Sequence, residues 1–297
     1  MHWDDLRILL EVARAESLTG AGRVLKMDPA TVGRRVTRLE EQLGARLFVK
    51  SPQGYVPTPD GERLQARAEQ AEQAFSLGLE EVQGQAGRLT GTVRIGAPDG
   101  AANYVLPQVC AAICDENPGL EIQLVALPRV FNLSKREADL AISVSRPETG
   151  DRLTVQKLSD YRLHLAASAD YLDRHPPIRS LDDLSQHRMV GYIPDMIFDK
   201  ELDYLAETGS RQVALASNSV SVQFNWVRQG GGVGIIHDFT LPSAPNVRRI
   251  LPDRFSLKRC FYLIRHRDDR KVTRLDRFAT ALGERFRTEI HRLEGLS

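Results

Sequence analysis

Cysteine is scarce: the 297 residues hold three, Cys110, Cys114 and Cys260. None has the CxxC spacing of a zinc site, and three thiols make no disulfide framework. That scarcity fits a reducing compartment. Net charge is nearly absent as well. Forty basic residues against 39 acidic ones leave +1, so any nucleic-acid affinity has to come from locally placed charge. No uninterrupted apolar run approaches the ~20 residues that span a bilayer. The opening stretch, MHWDDLRILLEVARAES, lacks a basic start ahead of an apolar run and does not read as a signal peptide. A cytoplasmic protein without membrane contact is expected. There is no GxSxG elbow and no metal-spaced histidine pair. No catalytic residue, metal ligand or cofactor is therefore assigned, and an enzyme is not expected.

At 42% hydrophobic and 27% charged residues the chain reads as globular, and its length calls for two or three domains. The informative stretch is Ser17 to Lys50. A first helix is expected over 3–14, with Leu6, Leu9, Leu10 and Ala13 on one face. Ser17 caps a second helix to about Lys26. Asp28-Pro29 then opens a third: an Asp N-cap satisfies orphan N–H groups, and proline suits the first helical position. Val32, Val36, Leu39 and Leu43 recur every three or four residues as an apolar face. Thr31, Arg34, Arg35 and Arg38 point elsewhere. A short helix buried on one side and carrying guanidinium groups on the other has the chemistry of a DNA recognition helix. Pro29 to Lys50 holds five basic residues against two acidic ones, a local excess of the kind the whole chain lacks. Gly44 stands where helices end in the left-handed conformation. Arg46 to Lys50 and Tyr55 to Thr58 then flank Pro52-Gln53-Gly54 as a hairpin. Three helices and a hairpin make a winged helix-turn-helix over 1–58.

Thr58-Pro59 repeats the cap-plus-proline signal and opens a long helix to about Gly87. Leu64, Ala68, Ala71, Phe75, Leu79 and Val82 form a near-heptad seam, which suits either a dimerisation helix or a plain connector over 59–90. From Gly91 the texture changes to apolar strands alternating with helices. Strands are expected over Thr92–Ala97, Leu120–Leu127, Ala138–Val144, Leu163–Ser168, Met189–Tyr192, Val213–Ser217, Val233–Ile236 and Phe261–Arg265, with a final helix over Val272–Leu293. The pattern implies a largely parallel sheet. Residues 91–297 suit two α/β lobes, about 91–160 with 266–297 and about 161–265, with a crevice between them.

Four motifs in order resemble the LysR-type transcriptional regulators over essentially the full length. They are Leu39-Glu40-Glu41-Gln42-Leu43-Gly44-Ala45-Arg46-Leu47-Phe48, Gly54-Tyr55-Val56-Pro57-Thr58-Pro59-Asp60-Gly61, Glu137 to Ile142, and Gly230 to Ile236. Two departures stand out: members commonly carry serine where this chain has Gly33, and a polar residue at Pro29. The resemblance implies an α+β multidomain chain: a winged helix-turn-helix, a linker helix, and a two-lobed α/β periplasmic-binding-protein-like effector domain. It implies double-stranded DNA, a small-molecule effector, a second copy of the chain (dimer or tetramer) and RNA polymerase as partners.

For the DNA end, Arg34 and Arg35 can each donate two hydrogen bonds to guanine or hold a phosphate. Thr31 can meet a thymine methyl or a phosphate. Lys50 and Ser51 on the wing can reach the minor groove or backbone. Arg38 reads either as a DNA contact or as an i,i+3 partner of Glu41. For the effector end, the resemblance places the lining at Pro98, Asp99 and Gly100, at Pro128 to Val130 with Arg129, at Ser143, Ser145 and Arg146, at Tyr192, and at Ser217-Asn218-Ser219. The last of these opens a helix whose N–H groups favour an anion. With Arg129 and Arg146 it suggests a carboxylate-bearing ligand, although Asp99 could instead select an amine. Alternatives are a solute-binding module without regulatory role and a redox sensor built on Cys110 and Cys114. The glycines at 230–234 precede a strand, so they read as a tight turn and not as a phosphate loop.

Overall fold

The computed structural model of the chain describes residues 3–51, 54–82, 89–126, 138–147, 153–208, 213–266 and 273–295. It divides into two compact units, Met1–Gly87 and Arg88–Ser297.

The first unit contains α1 (Trp3–Ala15), α2 (Leu18–Leu25), α3 (Pro29–Leu43), the strands β1 (Phe48–Ser51) and β2 (Gly54–Pro57), and α4 (Pro59–Val82). Its caps follow the sequence. Ser17 Oγ accepts from Gly20 N at 3.3 Å, and Asp28 Oδ1 accepts from Ala30 N at 2.9 Å. Gly44 closes α3 at φ 65°. Leu9, Leu10, Val32, Val36, Leu39, Leu47 and Ala68 meet in one core. Leu43, expected on the buried face, is 43% exposed at the last position of α3.

The second unit contains β3 (Gly91–Ala97), α5 (Asp99–Tyr104), α6 (Leu106–Glu116), β4 (Leu120–Ala126), β5 (Leu140–Ser143), β6 (Leu153–Ser168), α7 (Ala169–Arg174) and β7 (Met189–Gly191). It continues with β8 (Leu215–Ala216), α8 (Val220–Arg228), β9 (Val233–His237), β10 (Val247–Arg249), β11 (Leu257–His266) and α9 (Thr273–Glu294). The described strands form a nine-stranded sheet in the order β4-β3-β5-β11-β6-β9-β7-β8, with β10 against β6.

The sheet is less parallel than its sequence suggests. Parallel ladders join β3 to β4 and β5 in one lobe, and β7 to β8 and β9 in the other. Between them β6 and β11 run antiparallel along their lengths, from Leu153 opposite His266 to Leu163 opposite Leu257. These two strands carry the chain from lobe to lobe. Six of the first ten residues of β6 are polar, with Gln156-Lys157 and Ser159-Asp160 as consecutive pairs, so only its apolar end, from Leu163, reads as a buried strand.

Candidate functional site

The exposed face of α3 is built from the inside out. Asp5 of α1 is only 2% exposed, and a buried carboxylate needs partners. Arg35 supplies them, donating from Nη2 at 2.7 Å and Nε at 3.2 Å, and Arg38 adds Nη2 at 3.3 Å. Arg35, expected to contact a base or a phosphate, is here paired with a buried carboxylate, and its side chain is 24% exposed. Arg38 turns to Asp5 and not to Glu41. Arg34 is different: it is exposed, and its Nη2 donates to Thr31 Oγ1 at 3.0 Å, one turn earlier on the same face. Gly33 faces inward: a Cβ there would stand 3.1 Å from Leu18 Cδ1 of α2.

The wing is fixed to α3 by a residue whose role the sequence pattern leaves unmarked. Glu40, 7% exposed, accepts from the backbone N–H groups of Leu47 at 2.8 Å and Phe48 at 3.1 Å, and from Arg46 Nη1 at 2.9 Å. Thr58 donates its hydroxyl to Arg46 O at 2.6 Å while accepting from Gly61 N at 3.0 Å. A Cβ on Gly61 would collide with Leu47 O, and one on Gly54, at φ 125°, with Glu16 O. Those two contacts explain both glycines of the second motif. Lys50 stands exposed at the end of β1, and Ser51 is half-buried beside it.

The six seam residues of α4 divide. Ala68 is buried in the head's own core, with Leu64 packed against it, so neither faces outward. Ala71 is half-buried. Phe75 is 59% exposed, 6.4 Å between ring centroids from Trp3, itself 53% exposed. The side chains of Leu79 and Val82 lie outside the described residues.

In the two-lobed unit, Pro98, Asp99, Gly100, Tyr192 and Asn218 do come together. They line a space of only about 20 Å³, room for about one water. Residues absent from the sequence expectation fill the rest: Phe198, Leu202, Tyr204, His237 and Phe261. The N-terminus of α8, expected to receive a ligand anion, already holds one. Asp99 Oδ2 accepts from Ser219 Oγ, Ser221 N and Ser221 Oγ at 3.0, 2.9 and 3.0 Å. Ser217 Oγ accepts from Ser219 N at 3.1 Å within the same turn. Ser145 donates its hydroxyl to the Asp199 carboxylate, and its own N–H reaches Ser143 Oγ at 3.4 Å. Arg146 is exposed, and Arg129 lies outside the described residues.

Beneath this space is an aromatic cluster. Tyr161 stacks on Phe261 with centroids 4.2 Å apart, and Tyr204 meets His237 edge-on at 5.9 Å, its hydroxyl 3.4 Å from Nε2. Burial pushes His237 down to about 3, so the imidazole is neutral. Its neighbour Asp238 faces away, 2.8 Å from His164 Nδ1 and 3.0 Å from Arg249 Nη2. Cys110 is pushed up to about 12, by burial first and by Cys114 second. A thiol held protonated is a poor nucleophile, which counts against the redox alternative.

A winged helix-turn-helix head and a two-lobed α/β domain together define a DNA-binding regulator with an effector-binding domain. Residues 3–62 match the model of the bacterial regulatory helix-turn-helix protein, lysR family, and residues 86–287 match the LysR substrate binding domain. The chain belongs to the LysR-type transcriptional regulators. It is 26% identical over 263 residues to the HTH-type transcriptional activator TtdR of Escherichia coli O6:K15:H31, covering 84% of this chain and 82% of that one. It is 27% identical over 303 residues to the Mau operon transcriptional activator of Paracoccus denitrificans, covering 95% and 98%. The structure of CrgA, a LysR-type regulator from Neisseria meningitidis, shares the fold at a TM-score of 0.59 and 21% identity, over 96% of this chain and 99% of that one. Among the described residues no helix is long and apolar enough to cross a membrane.

Proposed function

We propose that this chain binds an inverted-repeat promoter site as a homo-oligomer, acts there on RNA polymerase, and answers to a small metabolite held in its C-terminal domain. The observation that carries the DNA reading is Arg34: an exposed guanidinium on a capped helix, beside a wing pinned by Glu40. Thr31 flanks it, and Lys50 and Ser51 offer backbone contacts from the wing. Exposed Phe75 and Trp3 supply apolar surface for pairing two copies.

Nuclease footprinting of the full chain on the DNA upstream of its own gene tests the reading. Two protected half-sites related by a dyad, spaced by about 10 base pairs or a multiple, are expected. A single protected half-site bound by one chain contradicts it.

A further inference from the structure

A second and larger space adjoins the closed cleft. It measures about 480 Å³, within the range of small-molecule sites, and shares Tyr192, Leu202 and Tyr204 with the small cavity as a common wall. Its other walls include Val190, Ile197, Leu205, Val213 and Ile235. Asp203, at its exposed edge, is the one charged side chain among the described residues that line it. Gln223 of α8 adds a buried amide to a lining that also holds the Tyr192 and Tyr204 hydroxyls: its Nε2 donates to Ser217 O at 2.8 Å, which leaves the amide oxygen to accept from a ligand. An anion entering here meets no described cation, and the adjacent helix N-terminus is filled by Asp99. Burying an unpaired charge in such walls is costly, whereas an apolar ring gains from the same surroundings.

We propose that this chamber is the effector site and that its ligand is an uncharged, largely apolar ring compound with one N–H or O–H donor for Gln223. The proposal rests on the reading of the C-terminal unit as an effector domain. It also supplies a route outward. The segment that roofs the chamber carries Asp199, which accepts from Ser145, two residues past the end of β5 in the other lobe. Glu201 and Glu207 of the same segment pair with Arg259 of β11 at 2.9 and 3.4 Å. A ligand wedged beneath Leu202 and Leu205 displaces the stretch that ties the two lobes together.

Calorimetric titration of the full chain with indole, benzoate and benzylamine, similar in size and different in charge, tests it. Indole is expected to bind saturably, one per chain, and each ion at least about tenfold more weakly. Ala206→Trp fills the chamber from its exposed edge and abolishes indole binding. Gln223→Leu keeps the volume, removes the acceptor, and weakens indole by about five- to tenfold. Benzoate or benzylamine binding as tightly as indole overturns the proposal. So does unsaturable indole binding, or indole affinity unchanged in both variants. Promoter binding is measured in the same preparations. Failure with DNA binding intact removes only the ligand class, while loss of DNA binding from the unaltered chain removes the regulator reading itself.

Discussion

Asp99 caps α8 from 120 residues away: its carboxylate accepts the Ser221 N–H at 2.9 Å and two serine hydroxyls at 3.0 Å. The positive end of a helix dipole is a ready anion seat, and here the chain's own side chain occupies it. Because Asp99 begins α5 in one lobe and α8 belongs to the other, the contact ties the lobes together.

Asp99→Ala is therefore expected to lower the stability of the C-terminal unit by about 1–3 kcal/mol, the range for charge-assisted hydrogen bonds. The urea midpoint of that unit reads this directly. The same substitution opens the seat, so benzoate binding strengthens. An unchanged midpoint together with unchanged benzoate affinity contradicts the capping role.

In the head, Arg35 and Arg34 are neighbours in unlike settings: Arg35 is paired with buried Asp5, and Arg34 is exposed. Removing Arg35 takes the 2.7 and 3.2 Å hydrogen bonds from the buried Asp5 carboxylate, while the longer Arg38 contact at 3.3 Å remains. The expected loss is about 2 kcal/mol, below the full cost of breaking a buried pair because Arg35 is 24% exposed and Arg38 remains. Arg34→Ala is expected to change stability by less than about 0.5 kcal/mol, as for other surface substitutions. Urea unfolding of both variants separates them, and equal losses would contradict this division.

Glu40 holds the wing by accepting from the backbone N–H groups of Leu47 and Phe48. Glu40→Ala is expected to cost about 2–3 kcal/mol, since both donors lose their partner at once. Glu40→Gln retains a carbonyl acceptor and gives up the Arg46 ion pair, so its cost is smaller. Slower proteolysis of the 46–58 hairpin in Glu40→Gln than in Glu40→Ala is the accompanying sign. Equal cleavage of the two contradicts it.

Stability should respond to pH in two opposing ways. Burial raises Glu294 to about 7, where it accepts from Arg162 N at 2.8 Å. Between about 4.5 and 7 the folded state keeps a proton that the unfolded chain releases, so this contribution to stability fades as pH rises through that window. His237 works in the opposite direction. Below its ordinary 6.5 the unfolded chain takes up a proton that the folded state refuses until about 3, so stability falls as pH drops. Glu294→Gln is expected to gain about 1 kcal/mol above pH 7, after discounting for partial solvent exposure, and nothing at pH 4.5. His237→Phe is expected to flatten the acid limb. Denaturant midpoints across pH 4 to 8 measure both, and a parallel shift at every pH contradicts the assignment.

The elements that carry their own punctuation are legible in the sequence alone. Asp28-Pro29 and Gly44 bound α3, and Thr58-Pro59 opens α4, because caps are local chemistry. Residues that act across the fold are harder to see. Asp5 shares a helical face with Ile8, Leu9 and Val12, and Glu40 one with Val36 and Leu39. A carboxylate on an apolar face is a signal that each must have a partner, but periodicity does not name Arg35 or the Leu47 N–H. Tyr204, His237 and Phe261 come from three separate segments without a motif, so only the folded sheet reveals them as one cluster. The family resemblance places Asp99 in the cleft, while its seat on α8 depends on how the two lobes close.

The most direct test of the account is a gel shift on the promoter fragment with the unaltered chain, Arg34→Ala and Arg35→Ala, each shown folded by circular dichroism. If Arg34 reads the operator, Arg34→Ala loses specific binding by at least about tenfold while its unfolding midpoint stays put. Unchanged affinity in Arg34→Ala, or a loss matched by an equal loss of stability, contradicts it.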